Sequence, residues 1–174
     1  MKIKTWADCA EFHGHECGGL TIGYKAALYA IKLLNIGCAE DEEVVCISEN
    51  DACGVDAIQV MLGCTAGKGN LIFRVQGKQA FSFYERASGR SVRLVLRRGP
   101  DGMTKEESFR YYQSRTPEEL FDVKEAPQPV PERARIFRNV ICDGCGETAG
   151  EPWTVLREGK RLCLSCADRA GREE

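Results

Sequence analysis

The two histidines of the 174-residue chain, His13 and His15, stand with Cys17 at i, i+2 and i+4 in the stretch FHGHECGG, residues 12–19. Imidazole and thiolate are good ligands for zinc and other late first-row transition metals. With Gly14 giving slack, a looped segment can turn all three side chains onto one ion. The competing readings are a polar turn satisfied within itself and a metal-free Cys/His nucleophile. Gly18 and Gly19 lead into an apolar-periodic stretch, so Cys17 falls at a helix start, where the dipole favours a thiolate.

A second stretch, SENDACGVD at 48–56, again sets a Cys-Gly pair before a helical pattern. Cys53 therefore joins His13, His15 and Cys17 as a candidate ligand of one N-terminal site, for zinc or another transition metal. Glu49 and Asp51 on the same loop are candidate acceptors for histidine N–H groups, or proton-transfer groups beside a reactive Cys17. Lys68, between glycines in TAGKGN, could receive an anionic substrate or cofactor through its ammonium and nearby backbone N–H groups. An exposed turn is the alternative there, and the G-x-x-x-x-G-K-[ST] spacing is absent. Cys64 follows Cys53 by eleven residues. Along a straight helix that is roughly 16 Å, too far for one ion, so it stays outside the ligand set.

CDGC at 142–145 and CLSC at 163–166 form two Cys-x-x-Cys pairs with seventeen residues between them. Each tight turn lets two thiolates converge, and Cys142, Cys145, Cys163 and Cys166 together make a closed tetrahedral zinc site. Four protein ligands leave no open position, so this zinc is expected to be structural. The WTVLREGKRLC between the pairs reads as a hairpin with Glu158-Gly159 at its tip. A segment of about 40 residues seldom folds on an apolar core alone, so metal should supply its stability.

The elements that must position these groups follow from periodicity. Leu20, Tyr24, Ala27, Leu28, Ile31 and Leu34 line one helix face over 20–34, with Gly37 past its end. EVVCIS (43–48) reads as a buried strand and GVDAIQVML (54–62) as a helix closed by Gly63. NLIFRV (70–75), AFSFYER (80–86) and SVRLVLRR (91–98) read as strands, the last two joined as a hairpin through ASGR. Thr104 with Glu107 opens a helix over 105–114, and Thr116-Pro117 with Glu119 opens another. EAPQPVPER (125–133) holds three of the six prolines and reads as an extended connector.

The fold class is thus α+β. A helix and mixed-sheet domain with a β-hairpin occupies 1–124, a Pro-rich linker 125–138, and a small zinc ribbon 139–174. Cysteines 9, 38 and 46 are expected to be small buried hydrophobes. No apolar run approaches the roughly 18 residues of a membrane span, and MKIKTWADCAEFHGHE has no apolar h-region. The chain is therefore expected in the cytoplasm, where clustered thiols bind metal or do redox work. Lys+Arg (24) do not exceed Asp+Glu (26), which argues against a nucleic-acid surface despite the basic RARIFR at 133–138.

FHGHECGGLTIGYKAA, ENDACGVDAIQVMLGCTAGKGNL and GKQAFSFYERASGRSVRL together resemble the FmdE family, named for the FmdE component of formylmethanofuran dehydrogenase. The zinc-ribbon tail also occurs in that family. One departure is Gly18, where the family pattern often has proline. The resemblance implies α+β domains that pair as homodimers, with the His/Cys region as the site. The namesake is a multi-subunit molybdenum or tungsten enzyme whose dithiolene and iron–sulfur chemistry lies in other subunits. The resemblance therefore implies a metal-binding accessory or redox-linked subunit of such one-carbon metabolism, with a larger molybdenum or tungsten oxidoreductase complex as partner. A metal carrier for such an enzyme, and a zinc-ribbon interaction protein without catalysis, stand as alternatives.

Overall fold

The computed structural model describes residues 4–170, in two compact units that meet between Ala134 and Arg135. The first unit is built on a five-stranded sheet in the order β2-β1-β3-β4-β5. Its strands are β1 (Val44–Ser48), β2 (Leu71–Phe73), β3 (Ala80–Glu85), β4 (Ser91–Leu96) and β5 (Phe121–Lys124). β1 and β2 run parallel, joined through a helix, and the other pairings are antiparallel. The sheet is therefore mixed. Strands β3 and β4 form the expected hairpin, turning through Gly89 at φ +71°.

Alternation along the strands decides what each face carries. Cys46, Phe81, Phe83, Val92 and Leu94 point to one face and form the main core with α2 (Gly18–Leu34) and α3 (Gly54–Leu62). Two further helices complete the layer: α1 (Trp6–His13) packs on α2 and α3, and α4 (Lys105–Ser114) on α2. The short α5 (Pro117–Leu120) adds Leu120 to the same core. Burying a side chain such as Leu20, Ile58 or Leu94 fully stabilises the fold by roughly 1.5–3 kcal/mol each. Val45, Ile47 and Tyr84 face the other way and meet Ala126 and Val130 of the Pro-rich segment.

That segment is tied to the first unit. Arg86 donates to the carbonyls of Pro131 and Glu132 and pairs with Glu42 at 3.3 Å. The Ala134 N–H donates to Glu42 Oε2 at 3.0 Å. Prolines have no N–H to pair, so the docking uses carbonyls, that of Pro131 included, the Ala134 N–H and apolar faces.

The second unit carries two hairpins. β6 (Asn139–Ile141) pairs with β7 (Thr148–Gly150), and β8 (Thr154–Arg157) with β9 (Lys160–Cys163). Glu158 and Gly159, both at positive φ, turn the second hairpin. A short helix, α6 (Leu164–Ala170), follows directly. Its buried core is small, consisting of Cys142, Leu162 and Ala167, with Cys163 and Cys166 against it.

No helix among the described residues is long and apolar enough to cross a membrane.

Candidate metal centres

The N-terminal centre is made where two helix starts meet. Gly23 of α2 lies against Gly54 of α3 so closely that a Cβ on Gly23 would stand 1.9 Å from the Gly54 carbonyl oxygen. Side chains there would hold the helices apart. Without them, the α2 and α3 N-termini converge, and with them the residues that precede each helix. Cys17 is the N-cap of α2, its sulfur accepting the Leu20 N–H at 3.2 Å. Cys53 stands at the N-terminus of α3. Asn50 shapes the loop before it, donating to the Lys78 carbonyl at 2.9 Å and accepting from the Ala52 N–H at 3.2 Å.

The third group comes from α1. A capping box of Thr5 and Asp8 starts this helix, and Gly14, at φ +87°, ends it just after His13. Ligand atoms of His13, Cys17 and Cys53 all lie within 4.8 Å of one another. His13 Nε2 is 3.8 Å from Cys17 Sγ, and its other nitrogen, Nδ1, is 2.7 Å from Asp56 Oδ2. A carboxylate on one imidazole nitrogen fixes the ring and leaves the other nitrogen aimed at the sulfurs, the arrangement usual behind a metal-bound histidine. Burial raises the Cys53 thiol above its ordinary value, and the adjacent Cys17 sulfur pushes the same way. A thiol that resists ionising becomes a good ligand once a cation displaces its proton.

Of the sequence-derived candidates, the structure brings His13, Cys17 and Cys53 together. His15 lies outside the three-ligand group, exposed, with its ring centroid 4.5 Å from that of His13. Glu49 is committed elsewhere. It continues the Val45-Ile47 face of the sheet, away from α2 and α3, and forms a two-point ion pair with Arg93 at 2.6 and 2.8 Å. Arg93 holds the Glu49 carboxyl below its ordinary value. Asp51 is exposed on its loop and also outside the group. Lys68 turns its ammonium onto the carbonyls of Ala39 and Glu40, at 3.2 and 3.5 Å.

Asp56 was not among the sequence candidates, although an acid three residues after Cys53 in a helical first turn was visible. Asn70, fully buried, was missed as well. It accepts from the Thr65 N–H at 2.8 Å and donates to the Val44 carbonyl at 2.9 Å, pinning the Lys68 loop. Cys9 and Cys46 are buried as expected and Cys38 is half-buried. Cys64 is a core thiol, pushed up to about 12 by burial and donating to the Val44 carbonyl.

Two of the three ligands, Cys17 and Cys53, line a cleft of about 620 Å³, and His13 is not part of its wall. His15, Glu16 and Gly19 form one side of it, and Lys105, Ser108 and Phe109 of α4 the other. Glu16 is held by the Trp6 indole N–H at 2.7 Å. Gly18, at the first position of α2, lies against α4: a Cβ there would meet Ser108 Oγ at 2.6 Å.

The second unit holds a different kind of centre. Ligand atoms of Cys142, Cys145, Cys163 and Cys166 lie within 4.8 Å of one another. The first pair sits on the turn between β6 and β7, and the second spans the end of β9 and the first turn of α6. Backbone N–H groups, foremost that of Cys163, aim at the Cys142 sulfur and lower its thiol to about 6. Four sulfurs this close, with one already favoured as thiolate, suit a tetrahedral zinc ion and leave no free position.

Both units match known families. Residues 12–141 match the family model described as FmdE, Molybdenum formylmethanofuran dehydrogenase operon, and the chain belongs to the FmdE family. Residues 135–170 match the prokaryotic dksA/traR C4-type zinc finger, so the tail is a C4 zinc finger. Among solved structures, a tungsten formylmethanofuran dehydrogenase FmdE-like protein from Syntrophus aciditrophicus is similar, with a TM-score of 0.69 and 26% identity. The match covers 92% of this chain and 89% of that one. A probable S-adenosyl-L-methionine-binding protein of Archaeoglobus fulgidus is 31% identical over 191 residues, covering 90% of this chain. The chain spans about half the length of that relative.

Proposed function

We propose that the first unit binds a transition-metal ion, zinc or a neighbour, through His13, Cys17 and Cys53, with a coordination position left open to the cleft. The observation that carries this is the convergence of three soft ligand atoms within 4.8 Å, two of which, Cys17 and Cys53, also line that cleft. Three protein ligands with an open position are the pattern of catalytic and ligand-exchanging sites, whereas the four-cysteine tail is sealed. A bound ion would act there as a Lewis acid toward a small ligand. The chain's own residues do the rest. Asp56 orients His13, Trp6 holds Glu16 at the rim, and α4 presents Lys105 and Phe109 to whatever enters. In this reading the protein is an accessory, redox-linked component of molybdenum or tungsten formylmethanofuran dehydrogenase-type one-carbon metabolism. Family membership and the Syntrophus aciditrophicus likeness support that setting. Elemental analysis tests the metal assignment. The pure wild type should carry two ions per chain and the Cys17→Ser, Cys53→Ser variant one. Equal content in both would refute it.

A second reading takes its support from the Archaeoglobus fulgidus relative's name and from the mixed charge of the cleft wall. Glu16 and Glu106 could face a sulfonium or ammonium group, Lys105 a carboxylate, and Phe109 an adenine ring, in a volume that suits a small cofactor. Calorimetric titration with S-adenosyl-L-methionine decides it: saturable binding that weakens in Phe109→Ala supports the reading, and no heat refutes it.

A further inference from the structure

We propose that His15 is an exchangeable fourth ligand of the N-terminal metal site, occupying the open position while the cleft is empty and yielding it to an incoming thiol. This rests on the three-ligand reading above and adds to it the identity of the group that guards the fourth position.

The two imidazoles are held very differently. His13 is largely buried, at the end of a helix, and clamped through Nδ1 by Asp56. His15 is exposed, and among the described residues no hydrogen bond or ion pair engages its ring nitrogens. It lies against the His13 ring, with centroids 4.5 Å apart and planes inclined at 37°. It also lines the cleft beside Cys17 and Cys53.

The backbone around it is fixed on both sides. The Gly14 N–H closes α1 on the Ala10 carbonyl at 2.9 Å, Glu16 is tied to Trp6, and Cys17 caps α2. Reaching the ion therefore falls to the His15 side chain. Side-chain torsions alone carry an imidazole several ångströms between staggered rotamers, on the fast timescale of exposed side chains. A ring that lies tilted against that of one ligand, with no hydrogen bond at either nitrogen among the described residues, is placed to close a tetrahedron by rotating, and to leave it.

The incoming group follows from softness. A divalent ion with two thiolates and neutral imidazoles carries no net charge. A third thiolate suits such an ion by its softness, and the negative charge it leaves faces Lys105 as well as Glu16 and Glu106 on the cleft wall. The exchange balances: a metal–nitrogen bond breaks, a metal–sulfur bond forms, and the thiol proton passes to the released His15 imidazole. No oxidant or reductant is involved.

The test uses the full zinc-loaded chain labelled with ¹⁵N-histidine. With two histidines in the sequence and a cysteine-only finger, both imidazole spin systems report on this site alone. Both should show a zinc-bound nitrogen. Addition of 2-mercaptoethanol should return one set to the free-imidazole shift, and that set should be the one missing from His15→Ala. A single zinc-bound imidazole before thiol is added, or two that persist at saturating thiol, would overturn the proposal while leaving the three-ligand site intact. If neither imidazole is zinc-bound, the three-ligand reading fails with it.

Discussion

Asp56 Oδ2 accepts the Nδ1 proton of His13 at 2.7 Å, across two helices and 43 residues of sequence. The bond fixes the tautomer and leaves Nε2 facing Cys17 and Cys53. It is the clearest sign that the His13 ring is positioned for a task. In Asp56→Asn the carboxamide keeps the shape but can present its N–H to Nδ1. Zinc affinity of the N-terminal site should fall about 10–100-fold, as for other partners of metal-bound histidines. Competition with a chromophoric chelator measures it, with the finger's ion as the internal constant.

Metal retention should also depend on pH in a defined direction. The Cys53 thiol is raised, so protons compete for it more strongly than for a free thiol. Affinity should climb as pH rises toward the thiol's raised value, and the ion should leave as pH falls. A pH titration of zinc release that showed tighter retention in acid would contradict the ligand set.

The close approach of Gly23 to Gly54 sets the distance between the two thiols. Gly23→Ala places a methyl against a backbone carbonyl, which cannot rotate away. Overpacking of a core contact costs typically about 1–3 kcal/mol, and backbone contact puts this substitution at the upper end or beyond. The expected result is a lower Tm together with weakened N-terminal metal binding, read by calorimetry and by the same chelator assay.

Glu49 and Arg93 form a buried two-point pair on the far side of the sheet. Arg93→Ala leaves the carboxylate buried without its partner and should destabilise the first unit by about 3–5 kcal/mol. The pair's contribution is pH-dependent. Because the folded carboxyl lies below its ordinary value, its contribution is full above the ordinary carboxylate range and is lost as pH falls through the lowered value. Urea unfolding of wild type and variant across the acid range should show the gap between them closing.

In the tail, Cys163→Ser should remove one ion per chain and unfold the second unit, since its apolar core of Cys142, Leu162 and Ala167 is too small to hold it. Loss of near-ultraviolet signal from Trp153, which packs edge-on against Phe137 at 5.1 Å, reports the unfolding.

Much of this was legible in the sequence, and the omissions have physical causes. Helices α2 and α3 carried clear apolar periodicity, and the caps at Thr104 and Thr116 lie where the pattern placed them. The finger was written in its cysteine spacing. Helix α1 was not seen because WADCAEFH is short and has little apolar stripe, although Thr5 with Asp8 was a capping signal. That omission matters for the site. The helix ends at His13, so His13 is fixed on a rigid element while His15 falls beyond the cap, a distinction that i, i+2 spacing cannot make. The place of Glu49 could have been read from alternation: Val45 and Ile47 share one strand face and Cys46 the other, and Glu49, one residue past the end of β1, continues the first. The link of Asp56 to His13 could not, because it depends on how α1 crosses α3, which tertiary packing alone decides.

The most direct measurement is an anomalous difference map at the zinc edge from crystals of the zinc-loaded full chain. Two peaks per chain are expected. One should lie among the four finger sulfurs, and the other about 2.3 Å from the sulfurs of both Cys17 and Cys53 and about 2.0 Å from His13 Nε2. A map with the finger peak alone, in protein shown to be fully reduced and saturated with zinc, would contradict a metal centre in the first unit.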